Sequence, residues 1–494
     1  MIHDGLREAA RTFAGRDALR AGDGRWSFRD LDELSNSFAR HLLAQGVTAG
    51  GRVAVMTSNR VEFVAAIHGI SKAGAAAVLL SPAWKAREVA HALDLTDPGY
   101  AVADGDGAAL LASSLGDEQV TDLDDPAALG SALAHSREPL PSEGAPDDEA
   151  ILVFSSGTTG MPKAVRHTHR SLQHATEHWC AALGLGPDDR FQVATPPSHI
   201  LGLLNLLAAA SAGATVRLHA RFDLDEVLHR IATERMTLEM AVAPIALALA
   251  NHPRLEEVDL SSLRYIMWGA TPVTESVAQV VTERTGVRWL PAYGASELPV
   301  LAANPVGDPA QWRLDSAGLP PAGVALRVAS LDDGAVLPPG EVGEIQARSP
   351  SVMAGYLPAS ATAEAFADGW YRTGDVGWLE PEGWVHLTDR AKEMIKVLGF
   401  QVAPAEIEAV LLSHPSVVDC AVFAIPDTRS GELPVAAVQL SSAIPPADLQ
   451  KLVAETLATY KHLTDVIVVD RIPRLPSGKT LRRTLRDEYL SSGR

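Results

Sequence analysis

Residues 155–163 read SSGTTGMPK, and they follow at once on the apolar run AILVF at 150–154. An apolar run of that length suits a buried strand, and the stretch after it is punctuated by glycine. Gly157 and Gly160 free backbone amides, while Ser155, Ser156, Thr158 and Thr159 add hydroxyls, so several phosphate oxygens can be satisfied together. Lys163 contributes a positive charge. A Walker loop ends Gly-Lys-[Ser/Thr], whereas here Lys163 follows Pro162 and precedes Ala164. No hydroxyl follows this lysine to ligate magnesium. The pattern is a phosphate-holding loop at the end of a strand.

Outward from the loop, the first third of the chain alternates strand and helix. RVAVMT (52–57), AAAVLLSP (75–82) and YAVAD (100–104) have strand character; 59–74 and 87–97 have helical spacing. That order predicts a parallel α/β layer. Residues 105–148, rich in Asp, Gly, Ser and Pro, read as loops and short helices, and 167–183 reads as a helix. Residues 319–349 alternate between apolar and polar positions, with Gly and Pro turns, and predict a small twisted β-region. After residue 390 the texture changes to a compact α+β unit, with helices over 404–414 and 445–460 and strands over 417–426, 433–440 and 465–470. The expected fold is therefore α/β. A large N-terminal domain (1–390) of layered α/β subdomains plus a small β-region precedes a small, mobile C-terminal α+β domain (391–494).

The 494 residues carry a net charge of -19, a balance that repels nucleic acid and anionic membranes. One basic cluster, GKTLRRTLR at 478–486, stands against it. The longest uncharged run, 201–216, is broken by Asn205 and Gly213 and predicts a buried helix leading to a strand rather than a membrane span. Cys180 and Cys420 lack metal-ligand spacing and read as reduced thiols. The N-terminus shows no signal-peptide pattern, so a cytoplasmic protein is expected. Lysine is scarce: eight residues, against 34 arginines.

Four ordered stretches resemble the adenylate-forming superfamily of acyl-CoA ligases, luciferases and peptide-synthetase adenylation domains. They are SSGTTGMPK, YGASE (293–297), YRTGDVGWLEPEGWVHLTDRAKEMIKVLGFQVAPAEIE (371–408) and PRLPSGKTLRR (473–483). Lys163, Lys392, Lys396 and Lys479, half of all lysines, fall within them. The resemblance implies ATP, Mg2+ and coenzyme A as reactants and cofactors, and a carboxylic acid activated as acyl-AMP. By it, 155–160 and Lys163 cover the β- and γ-phosphates, and Glu297 holds magnesium. Ser296 keeps a hydroxyl where relatives usually have Thr. Tyr293 stacks on adenine, with Gly294 leaving room beside it, and Ala292 and Ala295 flank that motif. WGATP (268–272) resembles the turn along the nucleotide, giving Gly269, Ala270 and Thr271.

By the same resemblance, Asp375 takes the ribose hydroxyls with Arg390 as helper. Lys479 bridges the substrate carboxylate and the α-phosphate, and Lys396 and Gln401 serve adenylate formation. Lys392 is the hinge about which the C-terminal domain turns, and Gly399 and Phe400 border a thiol channel. PPSHILGLLNL (196–206) resembles the acyl-pocket segment, with His199 near the carboxylate. The implied pocket is Leu201, Asn205, Met267, Trp268, Ala270, Ala292 and Val300. Trp268 stands where relatives have a smaller residue, so it reads either as pocket floor or as core. The mostly apolar set points to a hydrophobic acid. The acceptor is CoA or, alternatively, the thiol of an acyl carrier protein or partner transferase.

Overall fold

The computed structural model describes residues 1–141, 144–155, 162–269, 275–397, 400–427, 429–474 and 480–492, with the Gln401 side chain set aside. The strand Glu149–Ser155 lies within a seven-stranded sheet. On one side run Ala76–Leu79, Arg52–Met56, Tyr100–Ala103 and Val120–Asp122, all parallel. The helices Val61–Lys72 and Ala86–Thr96 make the crossovers. Their order is the alternation read from the sequence, because an apolar strand buried on both faces needs a helix to return the chain.

The other side of Glu149–Ser155 differs from the expectation. Residues Lys163–Thr168 fold back antiparallel on it, with Ser155 opposite Lys163. The two strands therefore meet at Ser155 and Lys163, the two ends of the SSGTTGMPK stretch. The helix expected from residue 167 begins at His169, and the Thr168 hydroxyl caps it by accepting from Ser171 N–H. A short strand, Gly355–Leu357, arrives from far along the chain and pairs with the hairpin's outer edge, setting Tyr356 opposite Val165. Residues 105–148 are also more ordered than expected, with an eleven-residue helix, Gly105–Leu115, and the strand Val120–Asp122.

A second layer joins Gly24–Ser27, Asp17–Ala21, Thr215–Leu218 and Arg190–Val193. A third sheet comprises Glu239–Ala241, Ile266–Trp268, Trp289–Tyr293 and Ala302–Ala303. The helix Ile200–Ala212 is buried, as 201–216 predicted, and Gly213 ends it at φ 72°. Between residues 325 and 390 all strands but Gly355–Leu357 form an antiparallel six-stranded sheet, which takes in the β-region expected over 319–349. The last sheet contains only strands from Ile395–Val397 to Asp465–Val468, and among the described residues no ladder joins it to the others.

Contacts between the two parts gather around residues 389–394. Asp389 Oδ2 accepts the Ala405 amide at 2.9 Å, at the start of the helix Pro404–Leu412. Val376 packs on Met394 and Ala403. Within the C-terminal part, Arg482 pairs with Glu393 and, at 2.9 Å, with Glu408. Arg483 and Arg486 both meet Asp487. Most of the basic cluster's arginine charge is therefore internally compensated rather than offered to a polyanion. Among the described residues no helix is long and apolar enough to cross a membrane. Cys180 and Cys420 are both free thiols, and burial pushes Cys180 up to about 11.

Candidate active site

The hairpin, the segment after Trp289–Tyr293 and the 370–390 strands bring the sequence-predicted residues together. Glu297 is buried. The Tyr356 hydroxyl donates to Glu297 Oε1 at 2.8 Å, and the Glu297 carbonyl accepts Met353 N–H at 2.8 Å. Lys163 Nζ lies 5.3 Å from the centre of the Tyr356 ring. Burial, then the Glu297 charge, pushes the Tyr356 phenol up, so it stays a donor. Glu297 has no ion-pair partner among the described residues.

His167, which the sequence reading passed over, fastens this region from behind. Its Nε2–H donates to the Ser296 carbonyl at 2.7 Å, and burial pushes the ring down to about 4, so it is neutral. Its place on a strand was the missing signal. With 167 taken as helical, no reason remained for a polar side chain to point at the 293–297 segment.

Asp375 and Arg390 stand directly opposite in an antiparallel ladder. Arg390 Nε meets Asp375 Oδ1 at 2.8 Å, and the Tyr293 hydroxyl donates to Oδ2 at 2.6 Å. Thr373 Oγ1 accepts the Asp375 amide at 3.0 Å. Burial, then the Asp375 charge, holds the Tyr293 phenol well above its ordinary range. The Tyr293 hydroxyl thus fixes the Asp375 carboxylate. A Cβ at Gly294 would meet the Pro299 carbonyl oxygen at 2.0 Å, so the close approach of that backbone requires a glycine there.

His199 caps the buried helix Ile200–Ala212, its Nδ1 accepting Leu201 N–H at 3.2 Å. Burial lowers its pKa. The ring is then neutral, with its proton on Nε2. Asn205 is buried on the same helix. Its Oδ1 accepts Trp179 Nε1–H at 2.7 Å, while Nδ2 has no partner among the described residues. Met267 and Val300 are buried in the principal core, and Leu201 and Ala292 are partly exposed.

Trp268 corrects the pocket assignment. On Ile266–Trp268, alternate residues face opposite ways: Met267 joins the principal core, while Ile266 and Trp268 enter a second core under the third sheet. Trp268 is 1% exposed and packs on Trp289, with ring centres 5.0 Å apart. It is a core residue, and its bulk is accommodated on the face away from Met267.

The C-terminal residues are less gathered. Lys392 and Lys396 are exposed, and Phe400, 53% exposed, stacks on Tyr460 at 4.4 Å. Lys396 and Gln401 face each other in register. Ser156, Gly157, Thr158, Thr159, Gly160, Ala270, Thr271, Gly399 and Lys479 lie outside the described residues. Flanking Lys479, Arg474 Nη1 donates to Thr480 Oγ1 at 2.8 Å, and Arg474 also grips Asp419. Leu481 N–H meets the Pro473 carbonyl.

Magnesium suits this arrangement. It keeps waters and is commonly held by one or two carboxylates plus substrate phosphates. Glu297, buried and without an ion-pair partner among the described residues, is a side chain of the type such a site would use. Among the described residues no cluster of three or more His, Cys, Asp or Glu forms an all-protein metal site.

Residues 6–357 match the family model for AMP-binding enzymes, and 406–479 match that for the AMP-binding enzyme C-terminal domain. A 4-coumarate–CoA ligase of Pinus taeda is 33% identical over 98% of this chain and 94% of its own. The long-chain-fatty-acid–CoA ligase FadD13 of Mycobacterium tuberculosis is 31% identical over 94% of each. The solved structure of the amide bond synthetase McbA from Marinactinospora thermotolerans superposes with a TM-score of 0.90 at 30% identity, covering 99% of this chain and 100% of that one. The hairpin, the two phenol-held carboxylates and these matches agree, and the chain belongs to the AMP-binding, adenylate-forming enzyme family.

Proposed function

We propose that the chain is an ATP-dependent acyl-CoA or aryl-CoA ligase. It activates a largely apolar carboxylic acid as acyl-AMP, releases pyrophosphate, and passes the acyl group to the thiol of coenzyme A. The observation that carries the reading is the meeting of Glu297 and Asp375, each held by a tyrosine hydroxyl, beside the hairpin that ends in Lys163.

A carboxylate oxygen attacks the α-phosphorus, and the bond to the bridging oxygen breaks. Lys163 and the hairpin tip attend the phosphates that leave. Asp375, oriented by Tyr293 and Arg390, takes the ribose hydroxyls, since a carboxylate accepts at both oxygens. Glu297 would hold magnesium, which when bound would supply positive charge to the phosphate oxygens. His199, with Nδ1 occupied by Leu201 N–H, offers its Nε2 proton to the acid's carboxylate. Lys479 bridges the two anions that repel as they approach, where a desolvated cation acts most strongly. Lys396 and Gln401 assist that half-reaction. The division into 1–390 and 391–494, hinged near Lys392, then admits the thiol past Gly399 and Phe400. Asn205 Nδ2, a buried donor without a partner, favours an acid that carries a hydrogen-bond acceptor along its otherwise apolar body.

A panel of carboxylic acids read by pyrophosphate release, then by thioester formation with CoA, tests the reading. Acid-dependent pyrophosphate followed by acyl-CoA is expected; no acid-dependent release from any acid overturns it. The likeness to McbA supports a second acceptor, an amine, which gives an amide. Acyl-AMP that yields no acyl-CoA at saturating CoA selects between that amine and a carrier-protein thiol, each then supplied in turn.

A further inference from the structure

Tyr356 lies outside every motif that marked the chain as a nucleotide enzyme. It sits on the three-residue strand Gly355–Leu357, which the fold brings to the outer edge of the phosphate hairpin. From there it makes two contacts with the proposed machinery. Its hydroxyl donates to Glu297 Oε1 at 2.8 Å. Its ring lies under the Lys163 ammonium at 5.3 Å. The ring is buried, and its backbone is pinned, with Tyr356 N–H donating to Thr362 Oγ1 at 2.8 Å. A second tie holds the same carboxylate segment, through Met353 N–H and the Glu297 carbonyl.

We propose that Tyr356 is the positioning residue that couples the phosphate loop to the magnesium carboxylate. The hydroxyl occupies Oε1 and so turns Oε2 toward the metal. The ring face gives Lys163 a resting place while no phosphate is bound, an attraction that a cation over an aromatic face supplies. One rigid side chain thereby sets the distance between the two charges, Lys163 and Glu297, that must meet the same triphosphate. A hydrogen bond to a charged group has the strength for this, and a buried aromatic ring has few alternative rotamers to wander into. The inference rests on the assignment of Glu297 as magnesium ligand.

The test is equilibrium binding of a non-hydrolysable ATP analogue, titrated with Mg2+ in the absence of acid, to the parent and to Tyr356→Phe. The Phe variant is expected to need about tenfold more Mg2+ for half-maximal tightening, the scale of one charge-assisted hydrogen bond. Its metal-free nucleotide affinity and its KM for the acid stay within twofold. A Mg2+ requirement within twofold of the parent overturns the hydroxyl's role. Tyr356→Leu, which also removes the ring, is expected to weaken metal-free nucleotide binding as well; unchanged metal-free binding overturns the link to Lys163. Glu297→Gln separates this inference from the one beneath it. If that variant keeps the parent's Mg2+ response, the metal assignment itself falls. If it loses the response while Tyr356→Phe keeps it, only the coupling falls. Should Tyr356→Phe not fold, 3-fluorotyrosine placed at 356 gives a second reading. Its fluorine resonance is expected to move when Mg2+ is added at fixed nucleotide, and a resonance indifferent to Mg2+ overturns the proposal.

Discussion

At Tyr293 a phenol hydroxyl meets the Asp375 carboxylate at 2.6 Å inside the protein. Tyr293→Phe keeps the ring and removes that donor. The KM for ATP is expected to rise about tenfold, with a smaller change in kcat, in steady-state pyrophosphate assays. An unchanged KM would show that Arg390 alone orients Asp375. Gly294 carries a different constraint. The Cβ of Gly294→Ala would sit 2.0 Å from the Pro299 oxygen, so the backbone between Tyr293 and Val300 must shift. The expected cost is about 1–3 kcal/mol in a denaturant melt, the usual range for forcing atoms into a packed site. Weaker nucleotide binding should follow, because Glu297 lies within the displaced segment.

At the scale of the element, Ile266–Trp268 shows how a three-residue strand decides a side chain's work. Because neighbours alternate faces, Trp268 and Met267 cannot both line one pocket. Trp268→Ala is expected to cost about 3–5 kcal/mol of stability by cavity formation against Trp289, seen as a lowered melting temperature. The order of preference across the acid panel should not change. A reordered panel at unchanged stability would return Trp268 to the pocket. The hairpin carries the opposite lesson about legibility. The parallel layer was readable from alternating apolar runs. The strand Lys163–Thr168 was not, because KAVRHT runs directly into a strong helical pattern and its partners sit on Glu149–Ser155 and, 190 residues on, at Tyr356. Pairing across that distance leaves no local mark. His167 and Tyr356 were missed for the same reason, while Asp375 and Arg390 were found because their ladder lies within one continuous motif.

Across the whole molecule, histidines set an acid limit. Burial pushes His3 and His68 down to about 3, and His41, His167 and His169 to about 4. Unfolded, each binds a proton near pH 6.5. A lowered folded pKa means that the unfolded chain takes up protons first. These groups therefore leave stability intact above about pH 6.5 and withdraw it as pH falls toward 4 and 3. At pH 5.5 a fully buried group such as His68 accounts for about 1.4 kcal/mol. Glu239, pushed up to about 7, and Asp389, to about 6, act in the opposite sense and offset part of the loss. Urea midpoints are expected to fall between pH 7.5 and 5.5; an equal or higher midpoint at 5.5 would mean these histidines open to solvent in the fold.

Domain motion is tested at the same scale. Lys479→Ala is expected to slow acyl-AMP formation a hundredfold or more, while largely sparing transfer from preformed acyl-AMP to a thiol. Equal loss in both half-reactions would count against two working positions of the C-terminal part.

The separate C-terminal sheet also partitions the protein's light. All nine tryptophans lie between residues 26 and 384, the Trp268–Trp289 pair among them, and none follows residue 390. Indole emission consequently reports on the large part alone, whereas far-ultraviolet dichroism sums helices from both. A melt followed by the two signals becomes a measurement of how strongly the parts hold each other. Superimposed curves mean that the contacts of Asp389 with Ala405 and of Val376 with Met394 and Ala403 bind them into one cooperative unit, and a dichroism step that fluorescence misses means the small part lets go first.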